Sequence, residues 1–198
     1  MLSQKSAEVR EAKIVKGIDI SAWQEDIDWQ AVKDSGVEFV IIKLGQAFRQ
    51  DPMFVDHINN AIAAGMKVGL YYYSTAINVT QAMSEAGWVQ GMIDRLLNGQ
   101  APEMGVWYDV EDVSMRNADI TGICKAFIEA LPGAGVYSSY DWLTNGNIRV
   151  AELGDVPIWC AQYNSECNYR GSGLTIWQYT DALDIAGIAF DGNVYFGR

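Results

Sequence analysis

Between residue 15 and about residue 144, short apolar runs alternate with amphipathic stretches, and this rhythm limits the possible folds more than any other feature of the sequence. The runs at 15–20, 37–44, 66–73, 106–112 and 135–138 have strand length, and the run at 37–44 is apolar enough for a strand buried on both faces. Helices fit the intervals. Asp28 is a ready N-cap for residues 29–34, which Gly36 closes. Asp51-Pro52 opens a second helix that stops at Gly65. Asn78, with Gln81 three residues on, forms a capping box for a long helix ending near Asn98-Gly99. Ile120, Ile123, Cys124, Phe127, Ile128 and Leu131 then share one helical face, ended by Pro132-Gly133, and a short helix follows at 140–144.

Parallel neighbours need a crossover connection, so the alternation predicts a parallel sheet. After residue 145 the rhythm changes to three strands, at 156–163, 174–179 and 185–191, without convincing helices between them. Eight strands and five helices with no linker or repeat predict an α/β fold: an irregular TIM-like barrel, (β/α)5(β)3. The expected division is a charged tail or short helix at 1–16, without the apolar core of a signal peptide, and a single barrel domain at 17–198. No run approaches the length of a membrane span.

A net charge of −11 disfavours nucleic acid and anionic membrane surfaces, and is compatible with a neutral carbohydrate. The single histidine, His57, is expected on the surface of a helix, which excludes histidine-rich metal sites and leaves carboxylate chemistry. No metal, cofactor or oligomeric partner is expected. Of the three cysteines, Cys124 reads as core, while Cys160 and Cys167 read as free thiols or as a pair across a loop.

Asp109 and Glu111 stand two apart at the end of the fourth strand. Side chains at that spacing share a face, about 6.6 Å apart along the strand, with Val110 turned away. Paired carboxylates raise each other's proton affinity, which suits general acid catalysis. Asp19 lies near the end of the first strand and Asp191 at the end of the eighth. In a closed barrel those strands are neighbours facing the fourth, so four acids converge on the mouth, where barrel active sites lie. Trp23, Tyr71, Tyr73, Trp107, Tyr137, Tyr163 and Trp177 collect near the same strand ends, each either core or a wall for sugar rings. Gln24, Gln162 and Gln178 either bind sugar hydroxyls or satisfy backbone at the rim.

The ordered set Gly17-Ile18-Asp19-Ile20-Ser21, Trp23-Gln24, Phe39-Val40-Ile41-Ile42-Lys43, Gly69-Leu70-Tyr71, Asp109-Val110-Glu111, Trp159-Cys160-Ala161-Gln162-Tyr163, Trp177-Gln178-Tyr179 and Asp191-Gly192-Asn193 resembles glycoside hydrolase family 25, the muramidases of phage endolysins and bacterial autolysins. The resemblance runs from Gly17 to the C-terminus. It implies hydrolysis of the β-1,4 bond between N-acetylmuramic acid and N-acetylglucosamine in peptidoglycan, at the cell wall or outside the cell. Glu111 would be the general acid. Asp109 would tune it or position the substrate acetamido group, and Asp19 and Asp191 would stabilise the oxocarbenium-like transition state, one of them serving as nucleophile unless the acetamido oxygen attacks. Substrate-binding residues on this basis are Lys43, Tyr71, Trp107, Tyr137, Gln162, Tyr163, Trp177 and Gln178. Three positions depart from the family pattern: Gln46 where an acid is frequent, Tyr72 where histidine is frequent, and Cys160 for an aliphatic residue. A silent glycan-binding barrel and a glycosidase of another N-acetylhexosamine polymer are the alternatives.

Overall fold

The strands close on themselves because the first pairs with the last. In a computed structural model that describes residues 14–197, β1 (Val15–Ile20) leads through α1 (Trp29–Asp34) to β2 (Phe39–Gln46), which turns back into the two-residue β3 (Arg49–Gln50). There follow α2 (Phe54–Ala63), β4 (Lys67–Tyr73), α3 (Val79–Leu96), β5 (Val106–Asp109), α4 (Ile120–Ala130), β6 (Gly135–Ser139), α5 (Tyr140–Thr144), β7 (Ile158–Ala161), β8 (Leu174–Ile185) and β9 (Ile188–Tyr195). The ring runs β1-β2-β4-β5-β6-β7-β8-β9 and back to β1, with β3 appended to β2. The result is a mixed α/β molecule with a closed eight-stranded barrel. The tail expected before the barrel falls largely on residues 1–13, outside the described residues, and β1 itself already begins at Val15.

Around the ring the strands from β1 to β8 are parallel, the appended β3 aside, but β9 runs antiparallel to both its neighbours, against the expectation of a wholly parallel barrel. The cause is a two-residue turn. Ala186 and Gly187 take φ of 53° and 85°, so Ile185 pairs with Ile188 and the chain reverses as a hairpin. Asp191 consequently lies within β9 rather than at its end, opposite Asp19 in register.

Alternation along the strands builds two cores. Outward residues such as Ile18, Ile20, Val40, Ile42, Leu70, Tyr108 and Val136 pack under the helices. Inward residues, Phe39, Ile41, Trp107, Tyr137, Trp159 and Ile176, fill the barrel with Met104. The large inward rings are possible because neighbouring strands carry glycine: a Cβ at Gly17 would lie 2.2 Å from the Phe39 ring, and one at Gly135 2.5 Å from Trp107.

The helix starts follow the sequence signals, with two differences. Asp28 accepts the Ala31 N–H at 3.0 Å, and Asn78 accepts that of Gln81 at 3.0 Å while Gln81 reaches back to the Ile77 N–H at 2.8 Å. Asp51 does not cap α2. It is buried, its Oδ1 accepting from Met53 N–H at 3.0 Å and its Oδ2 from Ala22 N–H at 3.2 Å, which fastens the β1–α1 loop. His57 is also buried, contrary to the surface position expected, because Phe54, His57, Ile58 and Ala61 form the inner stripe of α2. Its Nε2 lies 2.8 Å from the Gln24 carbonyl. All three cysteines are free thiols, Cys124 in the core as expected.

Candidate active site

Beyond Asp109 the chain stays extended for long enough to bring the second acid round. Val110 is fully buried on the outer side and donates its N–H to the Tyr137 carbonyl at 2.9 Å, so Glu111 returns to the inner side at the lip of the barrel. Asp112 stops the strand. Its Oδ1 accepts the Ser114 N–H at 2.8 Å, opening a short 3-10 turn, and its Oδ2 accepts the Tyr73 hydroxyl at 3.0 Å. The Ser114 hydrogen bonds hold Asp112 below the usual carboxylate range. Glu111 is solvent-exposed, whereas Asp109 is only 4% exposed and its Oδ1 has no hydrogen-bond partner. Burial, then the charges of Glu111 and Asp19, push the Asp109 carboxyl well up, and Lys43 opposes them. Burial, then Asp191, raises Glu111, again against Lys43.

The opposite wall is a carboxylate pair on β1 and β9. Asp19 is buried, and its Oδ2 accepts from Gln178 Nε2 at 3.0 Å and from Asn193 Nδ2 at 2.7 Å. The same Gln178 nitrogen reaches Asp191 at 3.3 Å. Asp19 and Asp191 also interact through their side chains, which raises the first and lowers the second. Burial is the larger cause on both, and each stands above the usual carboxylate range. Gln178 cannot flip: Tyr137 and Tyr163 donate their hydroxyls to its Oε1 at 2.9 and 3.2 Å. Asn193 is fixed likewise, accepting the Trp159 indole N–H at 2.8 Å.

The four acids expected at the mouth are thus brought together, with Lys43, Tyr71, Tyr137, Tyr163 and Gln178 on the same inner face. Three residues expected to bind substrate are placed elsewhere. Trp107 lies one inward step below Asp109, packed edge-on against Trp159, with its indole N–H taken by the Met104 carbonyl at 2.8 Å. Trp177 precedes the inward Gln178 and so faces outward, its N–H bound to the Gln162 carbonyl at 2.8 Å. Gln162 spends its own Oε1 on the Asn168 N–H at 2.7 Å, holding the loop after β7. Gln24 likewise serves backbone, accepting from Ser21 N–H at 3.1 Å.

Asn193 and Trp159 stand in the motifs quoted above without a site role, and Tyr73 was expected as either core or sugar wall. Asn193 was signalled by the same spacing of two that linked Asp109 to Glu111, counted from Asp191. Tyr73 was signalled by that spacing from Tyr71. The role of Trp159 as the centre of the inner aromatic cluster depends on the barrel being closed, which local spacing does not carry. Among the described residues no cluster of histidine, cysteine and acids is arranged to hold a metal ion, and no helix is long and apolar enough to cross a membrane.

The family profile described as "Glycosyl hydrolases family 25" matches residues 18–188. The autolytic lysozyme of Clostridium acetobutylicum is 31% identical over 185 residues, covering 88% of this chain and 53% of that protein. Lysozyme M1 of Streptomyces globisporus is 26% identical over 201 residues, covering 89% and 65%. Among solved structures, the modular autolysin LytC from Streptococcus pneumoniae superposes with a TM-score of 0.81 at 22% identity, over 92% of this chain and 47% of that one. The chain therefore spans between about half and two thirds of the length of these relatives.

Proposed function

The chain belongs to glycosyl hydrolases family 25, and on that premise we propose that it is a peptidoglycan muramidase, cutting the β-1,4 bond between N-acetylmuramic acid and N-acetylglucosamine. The observation that carries the reading is the pair of carboxylates at the end of β5: one exposed at the lip, the other buried beside it with an oxygen left unpartnered. Glu111 is the general acid. Burial and the charge of Asp191 raise its proton affinity, and it donates its proton to the glycosidic oxygen as the bond breaks.

Asp109 orients the substrate. A buried carboxylate oxygen without a donor suits the N–H of the acetamido group, and holding that group aims its carbonyl oxygen at the anomeric carbon. Attack by this oxygen and later hydrolysis of the cyclic intermediate retain the anomeric configuration, with Glu111 acting as base toward water in the second step. Asp19 and Asp191 face the developing positive charge from the other wall and stabilise it. The protein acts as a monomer on glycan strands of the bacterial wall, outside the cytoplasm.

Digestion of purified peptidoglycan, followed by borohydride reduction and sugar analysis, tests this. N-acetylmuramic acid is expected at the new reducing ends, and Glu111→Gln should lower the rate by roughly a thousandfold while leaving the folded spectrum unchanged. New N-acetylglucosamine ends would overturn the bond assignment. A barrel that only binds glycan would leave no new ends at all.

A further inference from the structure

At the end of β2 the chain is held in a conformation its residues do not favour. Ala47 and Phe48 connect β2 to β3, and both have left-handed backbone, with φ of 47° and 60°. A two-residue hairpin turn of this kind ordinarily takes Asn-Gly, because a Cβ is strained in that region. Several features enforce it here. A bulge between Lys43 and Gly45 shifts the register with β4, so Gln46 returns to the inner face, where its Oε1 accepts the Lys43 ammonium at 2.5 Å. Position 45 is glycine because a Cβ there would lie 2.2 Å from the Arg49 carbonyl oxygen. The Phe48 N–H donates to the Tyr72 hydroxyl at 3.1 Å, and the fully buried Tyr72 ring leans on Trp88.

This turn sets Phe48 at the rim of the barrel, beyond the ends of β2 and β4. Gln46 is level with Tyr73, and Tyr73 with Asp109, so Phe48 stands two residues above the acidic floor. Its side chain is 49% exposed. On the adjoining loop after β1, Trp23 is 90% exposed, and Asp51 ties the two loops through its bonds to Ala22 and Met53. Neither ring serves the core. A turn needed only to connect two strands is better made with Asn-Gly, so strain kept beside an active site, with an apolar ring displayed by it, points to a use in binding.

We propose that Phe48, together with Trp23, forms an aromatic platform for the glycan strand beyond the reacting sugars, and so favours long strands over short ones. Pyranose rings present apolar C–H faces that stack on such rings, and phenylalanine offers only the stacking face. The proposal rests on the muramidase reading above.

The test is Phe48→Asn, since asparagine tolerates left-handed backbone and removes the ring. Melting temperature should be unchanged or raised. On amidase-treated glycan strands of many disaccharides, KM should rise about 5-fold with kcat within about 2-fold, as expected for loss of one stacking contact. On a tetrasaccharide fragment both constants should be unchanged, and Phe48→Tyr should restore KM on long strands. An unchanged KM on long strands, or an equal rise on both substrates, overturns the platform while leaving the muramidase assignment intact. Wild-type protein that releases no N-acetylmuramic acid ends overturns that assignment and the platform with it.

Discussion

Tyr108 and Asp109 are neighbours in β5 that face opposite sides of the sheet, and each leads to a buried acid that the fold treats differently. On the outer side, Glu85 from α3 is 1% exposed and fully engaged. Its Oε2 accepts the Tyr108 hydroxyl at 2.7 Å and the Ser74 hydroxyl at 2.9 Å, and its Oε1 accepts the Thr75 N–H at 3.2 Å. Burial raises its proton affinity, and these hydrogen bonds pull it part of the way back. On the inner side, Asp109 is nearly as buried, but one oxygen is unpartnered and its nearest charged neighbours include two more acids. Burial of an acid does not by itself mark a function. What separates the two is satisfaction: Glu85 pins α3 to β4 and β5, whereas Asp109 keeps capacity for something from outside.

That contrast predicts opposite outcomes for the two sites. Glu85→Ala leaves one hydroxyl of the mutually bonded Ser74–Tyr108 pair and the Thr75 N–H without an acceptor in the layer beneath α3, and should cost about 3 kcal/mol of stability in urea unfolding. The residual enzyme, assayed well below its melting point, should keep its KM and pH profile. Asp109→Asn should do the reverse, leaving stability equal or higher while kcat/KM falls about 100-fold. Equal destabilisation by both variants would break the distinction.

A smaller effect concerns pH. Asp19, Asp109, Glu111 and Asp191 all stand above the ordinary carboxylate range in the folded protein. A folded state that binds protons more tightly than the unfolded chain is favoured at low pH. The stability these groups contribute is therefore present below the ordinary value, about 4, and lost as pH rises through their raised values. Asp109→Asn removes one of them, so its melting temperature should fall less than that of the wild type between pH 4 and neutrality. Calorimetry at a series of pH values reads this directly. A slope identical to the wild type's would mean that the surroundings do not raise the proton affinity of Asp109.

Much of this division was legible in the sequence. The strand and helix alternation gave the barrel, and spacing by two gave the acids, since both depend on local periodicity. His57 was legible but misread: its phase with Phe54, Ile58 and Ala61 is an inward helical stripe. Other features depend on register, which no local pattern carries. The reversal of β9 turns on one Ala-Gly pair, and the inward return of Gln46 depends on a bulge. In 177–178 both residues suit a glycan site, yet only one can face the mouth, and the sequence does not say which.

That last pair repeats the comparison on the far wall and supplies its finest test. Gln178 is 1% exposed inside the barrel, bonded to both Asp19 and Asp191, while Trp177 leans outward against Tyr179 and donates to the Gln162 carbonyl. If the two faces of the sheet divide function from support here as proposed for β5, Trp177→Phe should lose only that hydrogen bond. The expected cost is about 1 kcal/mol of stability, with kcat/KM on peptidoglycan changed by less than about 2-fold. A tenfold loss of activity without loss of stability would show the outer face reaching the substrate, and the partition between the two faces would fail at β8.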